Sequence, residues 1–140
     1  MISIITAGPH YSKELRELLQ SEWKEIDPFE GHHESFQVPP PLVAIEEQAM
    51  LVGGLSFTSF ANPKREDLAL WINAVLVVPA YRRLGIASKL IAKAEREASR
   101  LGFQEMFVQT EFSSLYQLLN WTVSKTNKNE TILSKVLPDV

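Results

Sequence analysis

Hydrophobic and polar positions change period several times along this chain, and each change predicts an element. Ile2 and Ile4 read as a short first strand, closed by the turn-forming pair Gly8 and Pro9. From Tyr11 onward the apolar positions Tyr11, Leu15, Leu18, Leu19 and Trp23 recur at helical spacing, which predicts an amphipathic helix with Ser12 as its N-cap. Residues 25–41 break all periodicity, and Pro39, Pro40 and Pro41 forbid a helix there, so a long loop is expected. Two apolar runs follow, residues 42–47 and 50–60, with a polar region around Gln48 between them; this is the pattern of an antiparallel hairpin. Residues 61–67 form a second loop.

The run at residues 68–78 is apolar on both faces, because Leu68, Leu70, Ile72 and Leu76 alternate with Ala69, Trp71, Val75 and Val77. A strand of that kind belongs in the middle of a sheet covered on both sides. Ile86, Leu90, Ile91, Ala94, Ala98 and Leu101 then make one stripe of a longer helix. Lys89, Lys93, Arg96, Glu97 and Arg100 are expected to face water, and Gly102 to end the helix. A strand at residues 106–110 is followed by a short helix at 113–119. Asn120 is expected as a left-handed cap before two last strands, turned at Asn127 to Asn129. Strands and helices alternate with hairpins at both sides, which predicts an α/β fold with a mixed sheet covered by helices. No repeat, low-complexity tract or linker divides the chain, so residues 1–140 are expected to form a single domain.

Charge and composition narrow the functions. A net charge of -3 and a pI of about 5.6 argue against a nucleic-acid partner, which needs a basic face. With no cysteine there can be no disulfide framework, thiolate zinc site or Cys nucleophile, and the absence suits a reducing, cytoplasmic setting. The first residues lack a basic region and a long apolar run, and no segment reaches the roughly 18 apolar residues of a membrane span, so no membrane partner is expected. His32, His33 and Glu34 invite a metal reading, but adjacent histidines point apart and no third ligand stands at suitable spacing; no metal is expected. Trp23, Trp71 and Trp121 each sit in an apolar pattern and read as core.

The stretch from Val77 to Leu90 carries the chemistry. A proline and two arginines lead from the apolar strand into a helix that opens on Leu84, Gly85, Ile86 and Ala87. The first four N–H groups of a helix have no intrahelical acceptor, and the peptide dipoles add partial positive charge there. Such an end attracts anions, above all phosphates. Gly85 and Ala87 keep bulky side chains away, and Arg82 and Arg83 add charge at the entrance. Neither the Gly-x-Gly-x-x-Gly of dinucleotide folds nor the Gly-Lys-Ser/Thr of P-loops is present.

Arg82 to Ala87, reading RRLGIA, resembles the acyl-CoA-binding motif Gln/Arg-x-x-Gly-x-Gly/Ala of the GNAT family of N-acetyltransferases. The context resembles it as well: a long apolar strand ending in Val-x-Pro, the amphipathic helix, a strand at 106–110, and then Leu115 and Tyr116 in a short helix followed by Asn120 and Trp121. The likeness covers nearly the whole chain. It implies a mostly antiparallel sheet of about six or seven strands flanked by about four helices, with the fourth and fifth strands splayed apart. It also implies acetyl-CoA as co-substrate and a small-molecule or protein amine as acceptor.

The resemblance assigns roles residue by residue. Val75, Leu76 and Val77 would bond the pantetheine arm as an added strand. Arg82, Arg83, Leu84, Gly85, Ile86, Ala87 and Ser88 would surround the pyrophosphate, and a main-chain N–H near Val77 would face the acetyl oxygen. Tyr116 matches the family's acid that protonates the departing thiolate. A base is also needed, because an alkylammonium with a pKa of about 10.4 must lose a proton before it attacks. Where family members often carry Glu, this chain has Asn73 and Ala74. Glu111 is the first candidate base and Glu46 the second. The acidic stretch of Glu22, Glu25, Asp27, Glu30 and Glu34 falls on the expected acceptor side and suits a cationic amine. Two other readings stay open: an acyl-CoA-binding sensor without turnover, and an interaction domain in which Gly85 serves only close helix packing. The family also makes a homodimer a reasonable expectation.

Overall fold

The computed structural model describes residues 1–30 and 35–138. Its strands are β1 (Ser3–Thr6), β2 (Leu42–Ile45), β3 (Leu51–Ala61), β4 (Leu68–Val77), β5 (Glu105–Thr110), β6 (Thr122–Asn127) and β7 (Glu130–Val136). They form one seven-stranded sheet in the order β1-β2-β3-β4-β5-β7-β6. All neighbours are antiparallel except β4 and β5, which run parallel. The doubly apolar run therefore sits in the centre, as its pattern predicts.

Among the described residues three α-helices cover the sheet: α1 (Ser12–Gln20), α2 (Ile86–Arg100) and α3 (Ser113–Leu118). The expectation was about four. The described part of the long loop before β2 forms turns, where its prolines deny the backbone donors a helix needs. Single 3-10 turns at Pro9–Tyr11 and Pro79–Tyr81 complete the elements.

Leu42, Leu55, Phe57, Leu70 and Ile72 meet Ile86, Leu90, Ile91, Ala94 and Ala98 of α2 on one face. On the opposite face Val43, Ile45 and Ala74 meet Leu15 and Leu19 of α1. Each large apolar side chain so buried contributes about 1.5–3 kcal/mol. The approach of α1 depends on Gly54 in β3, where an added Cβ would stand 2.2 Å from Leu15 Cδ1.

Asn120 is left-handed with φ 69°, and Gly102, with φ 94°, lies just past the end of α2. Three expectations need correction. Ser12 is the first residue of α1 rather than its cap, because its Oγ donates backward to the Pro9 carbonyl at 3.0 Å. Trp23 is not core: α1 stops at Gln20, and the ring is 41% exposed. Glu97 does not face water but is buried, with Arg100 3.0 Å from Oε1 and Lys93 3.7 Å from Oε2. Arg100 and Lys93 hold its carboxyl below the usual range.

The histidines and glutamate of the metal reading lie outside the described residues. Among the described residues no cluster of His, Cys, Asp or Glu could hold a metal ion, and no helix is long and apolar enough to cross a membrane.

Candidate functional site

The site begins where the central pair of strands parts. β4 and β5 are matched only at Trp71 with Phe107 and Ile72 with Val108, and beyond these they diverge. The register on the other side decides which groups of β4 are left over. Val78 donates to the Val52 carbonyl at 2.8 Å, and Leu76 pairs with Gly54 two residues away on the same ladder. In an antiparallel ladder bonded and non-bonded pairs alternate. Leu76 therefore spends its amide and carbonyl on β3, while those of Val75 and Val77 face the gap. Of the three strand residues expected to offer backbone groups, Val75 offers both of its groups to the gap and Val77 its N–H, since the Val77 carbonyl accepts Arg82 Nε.

Past Val77 the chain turns through Pro79–Tyr81, with Tyr81 N–H donating to the Val78 carbonyl at 2.8 Å. Arg83 and Gly85 both take left-handed backbone, at φ 66° and 80°. Alternation of this kind folds successive N–H groups toward one concave side, which suits an anion. Helix α2 starts at Ile86, no side chain caps it, and its first backbone bond is Lys89 N–H to the Gly85 carbonyl. The N–H groups of Ile86, Ala87 and Ser88 thus have no partner within the helix. Nothing lies within 4 Å of a Cβ added at Gly85, so its conformation and not close packing demands glycine there. The reading of Gly85 as a packing residue is corrected by that open space.

The gap and this helix end open into one cleft of about 1010 Å³. Val75, Leu76, Val77, Arg82, Arg83, Gly85, Ile86, Ala87 and Ser88 line it, and so do Glu111 and Tyr116. Leu84 does not; its side chain is 61% exposed outside the cleft. Arg82 is turned partly inward on the protein, its Nε donating to the Val77 carbonyl at 2.9 Å.

Tyr116 stands in the inner wall. It is 3% exposed and lines the cleft. Burial pushes its pKa well above that of a free phenol, because the phenolate would lose its hydration. The hydroxyl therefore stays protonated over the whole neutral range. Glu111 is exposed at the cleft after β5. Glu46 is absent from the lining; its Oε1 instead accepts the N–H groups of Gln48 and Met50 and shapes the β2–β3 turn.

Sequence patterns missed several lining residues. Trp23, read as core, contributes an exposed ring beside Glu22, and Glu130 and the 70% exposed Phe112 join them. Glu22 alone had a signal, as part of the acidic stretch. α1 and α2 lie on opposite faces of the sheet, and this one cleft is lined by residues from both sides: Arg83 and Ser88 at the end of α2, and Glu22 and Trp23 just after α1.

Solved structures share this architecture. YncA from Salmonella typhimurium, with its cofactor acetyl-CoA, is 18% identical, with a TM-score of 0.73 over 100% of this chain and 96% of that one. The GNAT family N-acetyltransferase YhbS from Escherichia coli, in complex with CoA, is 17% identical, with a TM-score of 0.76 over 98% of this chain and 82% of that one. The PaiA N-acetyltransferase from Thermoplasma acidophilum, in complex with coenzyme A, is 17% identical, with a TM-score of 0.71 over 97% and 99%. No curated protein matches the chain in sequence. The sequence model of the Acetyltransferase (GNAT) family matches residues 12–118, most of the chain. The chain belongs to the GNAT acetyltransferase family, and it is an N-acetyltransferase that uses acetyl-CoA.

Proposed function

We propose that the enzyme passes the acetyl group directly to a primary amine, with donor and acceptor bound together in the cleft between β4 and β5. The observation that carries this reading is one cleft whose lining joins two groups of different chemistry. It includes the uncapped helix end with Arg83 and Gly85, and also Glu22 and Trp23, with Tyr116 in the same lining. The first group suits a pyrophosphate, the second a cation. Val75 would bond a peptide-like arm along the open edge of β4, while the N–H of Val77 is kept for the acetyl oxygen.

The step balances as follows. The neutral amine nitrogen attacks the thioester carbon, the C–N bond forms, and the carbonyl oxygen carries the negative charge toward the Val77 N–H. As the C–S bond breaks, its electron pair goes to sulfur, and sulfur takes the proton of the Tyr116 hydroxyl. The nitrogen's surplus proton passes to Glu111 or to water, and Tyr116 is reprotonated from solvent. With no cysteine available as an acyl carrier, direct transfer is the simplest route.

The test is a panel of primary amines: a diamine, an amino sugar and a lysine-containing peptide, each incubated with acetyl-CoA. The expected result is acetylated amine and free CoA in equal amounts for at least one class, with intersecting initial-velocity lines. Parallel lines would contradict direct transfer. Tight acetyl-CoA binding with no amine acetylated would favour a sensor instead.

A further inference from the structure

A closed ring of contacts holds Tyr116 from behind. Trp121 meets the Tyr116 ring edge-on at 5.1 Å and 75°. Its backbone N–H donates to the Tyr116 carbonyl at 3.0 Å, and its indole Nε1 donates to Glu95 Oε2 at 3.1 Å. Glu95 Oε1 lies 3.3 Å from Lys135 Nζ, which donates to the Leu119 carbonyl at 2.6 Å. The N–H of Leu119 returns to the Tyr116 carbonyl at 3.0 Å. The left-handed Asn120 reverses the chain so that Leu119 and Trp121 can both reach that one carbonyl.

The ring joins α2, the end of α3 and β7. Its two charged side chains are only 17% and 19% exposed. Partly desolvated ion pairs rarely stabilise a fold better than apolar side chains of the same size, but their directional bonds fix geometry. Glu95, Leu119, Trp121 and Lys135 stay outside the cleft lining, whereas Tyr116 is in it. Of the ring's members, Tyr116 is the one that reaches the cleft.

We infer that Glu95 and Lys135, acting through Trp121, are positioning residues that aim the Tyr116 hydroxyl at the departing sulfur. Because these contacts hold both the ring and the main chain of Tyr116, the aim of its hydroxyl depends on how they grip it. The inference rests on the reading of Tyr116 as the acid.

A double-mutant cycle tests it, with thiol release from acetyl-CoA as readout and the best amine of the panel as acceptor, or water where no amine is turned over. Glu95→Gln should lower kcat about tenfold, less than the 10²–10⁴-fold of a lost acid, with acetyl-CoA affinity unchanged. In a Tyr116→Phe background the same substitution should cost nothing further, because its route is already gone. Lys135→Met should copy Glu95→Gln, and Lys135→Arg should restore most of the rate. Thermal unfolding of each variant checks that the fold is intact. Losses that multiply, or an unchanged kcat in Glu95→Gln, would overturn the inference while leaving Tyr116 in place. An unchanged kcat in Tyr116→Phe would overturn the acid reading itself and the inference with it.

Discussion

Arg82 Nε donates to the Val77 carbonyl at 2.9 Å, so the first arginine of the motif is folded back on the strand just before it. That bond satisfies the carbonyl at the open edge of β4 and holds the Val77 peptide in one orientation. Arg83, left-handed and exposed, has no ion-pair partner among the described residues, and its charge stands at the entrance. The two arginines should therefore fail differently. Arg82→Ala is expected to lower kcat roughly tenfold, the order of one charge-assisted hydrogen bond, with a small change in acetyl-CoA affinity. Arg83→Ala should weaken acetyl-CoA binding and flatten its salt dependence, with kcat kept. Equal effects of both variants on affinity alone would mean that Arg82 serves the phosphates.

Tyr116→Phe removes the proposed acid without removing the ring. It should lower kcat by about 10²–10⁴-fold and leave the KM for acetyl-CoA unchanged. The pH dependence has a definite sign. Burial raises the folded pKa, so the unfolded chain ionises first once the pH passes about 10. Stability linked to Tyr116 is complete below that pH and is lost as the pH climbs toward the raised value. Alkaline unfolding monitored by circular dichroism should shift to higher pH in the Phe variant; an identical curve would argue that the hydroxyl is hydrated.

Within the cleft lining, Glu22 and Trp23 are expected to recognise a cation. Glu22→Gln and Trp23→Ala should each raise the KM for the acceptor amine a few-fold to about tenfold, the worth of a partly exposed cation–π or charge contact. Acetyl-CoA affinity, measured separately by calorimetry, should stay constant. An unchanged amine KM in both variants would place the acceptor elsewhere.

Gly54 makes room for α1. Adding a Cβ 2.2 Å from Leu15 Cδ1, inside a fully buried contact, should cost about 1–3 kcal/mol in Gly54→Ala, read as a lower urea midpoint with an unchanged slope. A midpoint equal to that of wild type would mean that Leu15 repacks freely.

Much of this was legible in the order of residues because the signals are local. Two-faced apolarity placed β4 at the centre, and the glycine that opens α2 marked an unobstructed helix end. Asn120 announced its own backbone. What stayed hidden depends on residues far apart in the chain. Trp23 kept helical spacing with Leu19, yet α1 ends at Gln20, and spacing alone does not show where a helix frays. Glu97 looked like one more charge on a wet face until Lys93 and Arg100 closed over it. The grip on Tyr116 joins Glu95 to Trp121 and Lys135 through tertiary contacts alone, and no periodicity encodes such contacts. Leu84 shows the reverse: a motif position that counts by sequence, while its side chain points away from the cleft.

The central claim is that the helix end at Gly85 holds the pyrophosphate of acetyl-CoA. Thermal unfolding with and without acetyl-CoA, for wild type and Gly85→Asp, tests it most directly. At about 100 times the dissociation constant the ligand should add about 2.7 kcal/mol to wild type, a shift of several degrees. The mutant should lose that shift, because a carboxylate would then stand where the phosphates lie. An equal shift in both proteins, or none in wild type at millimolar ligand, would contradict the account.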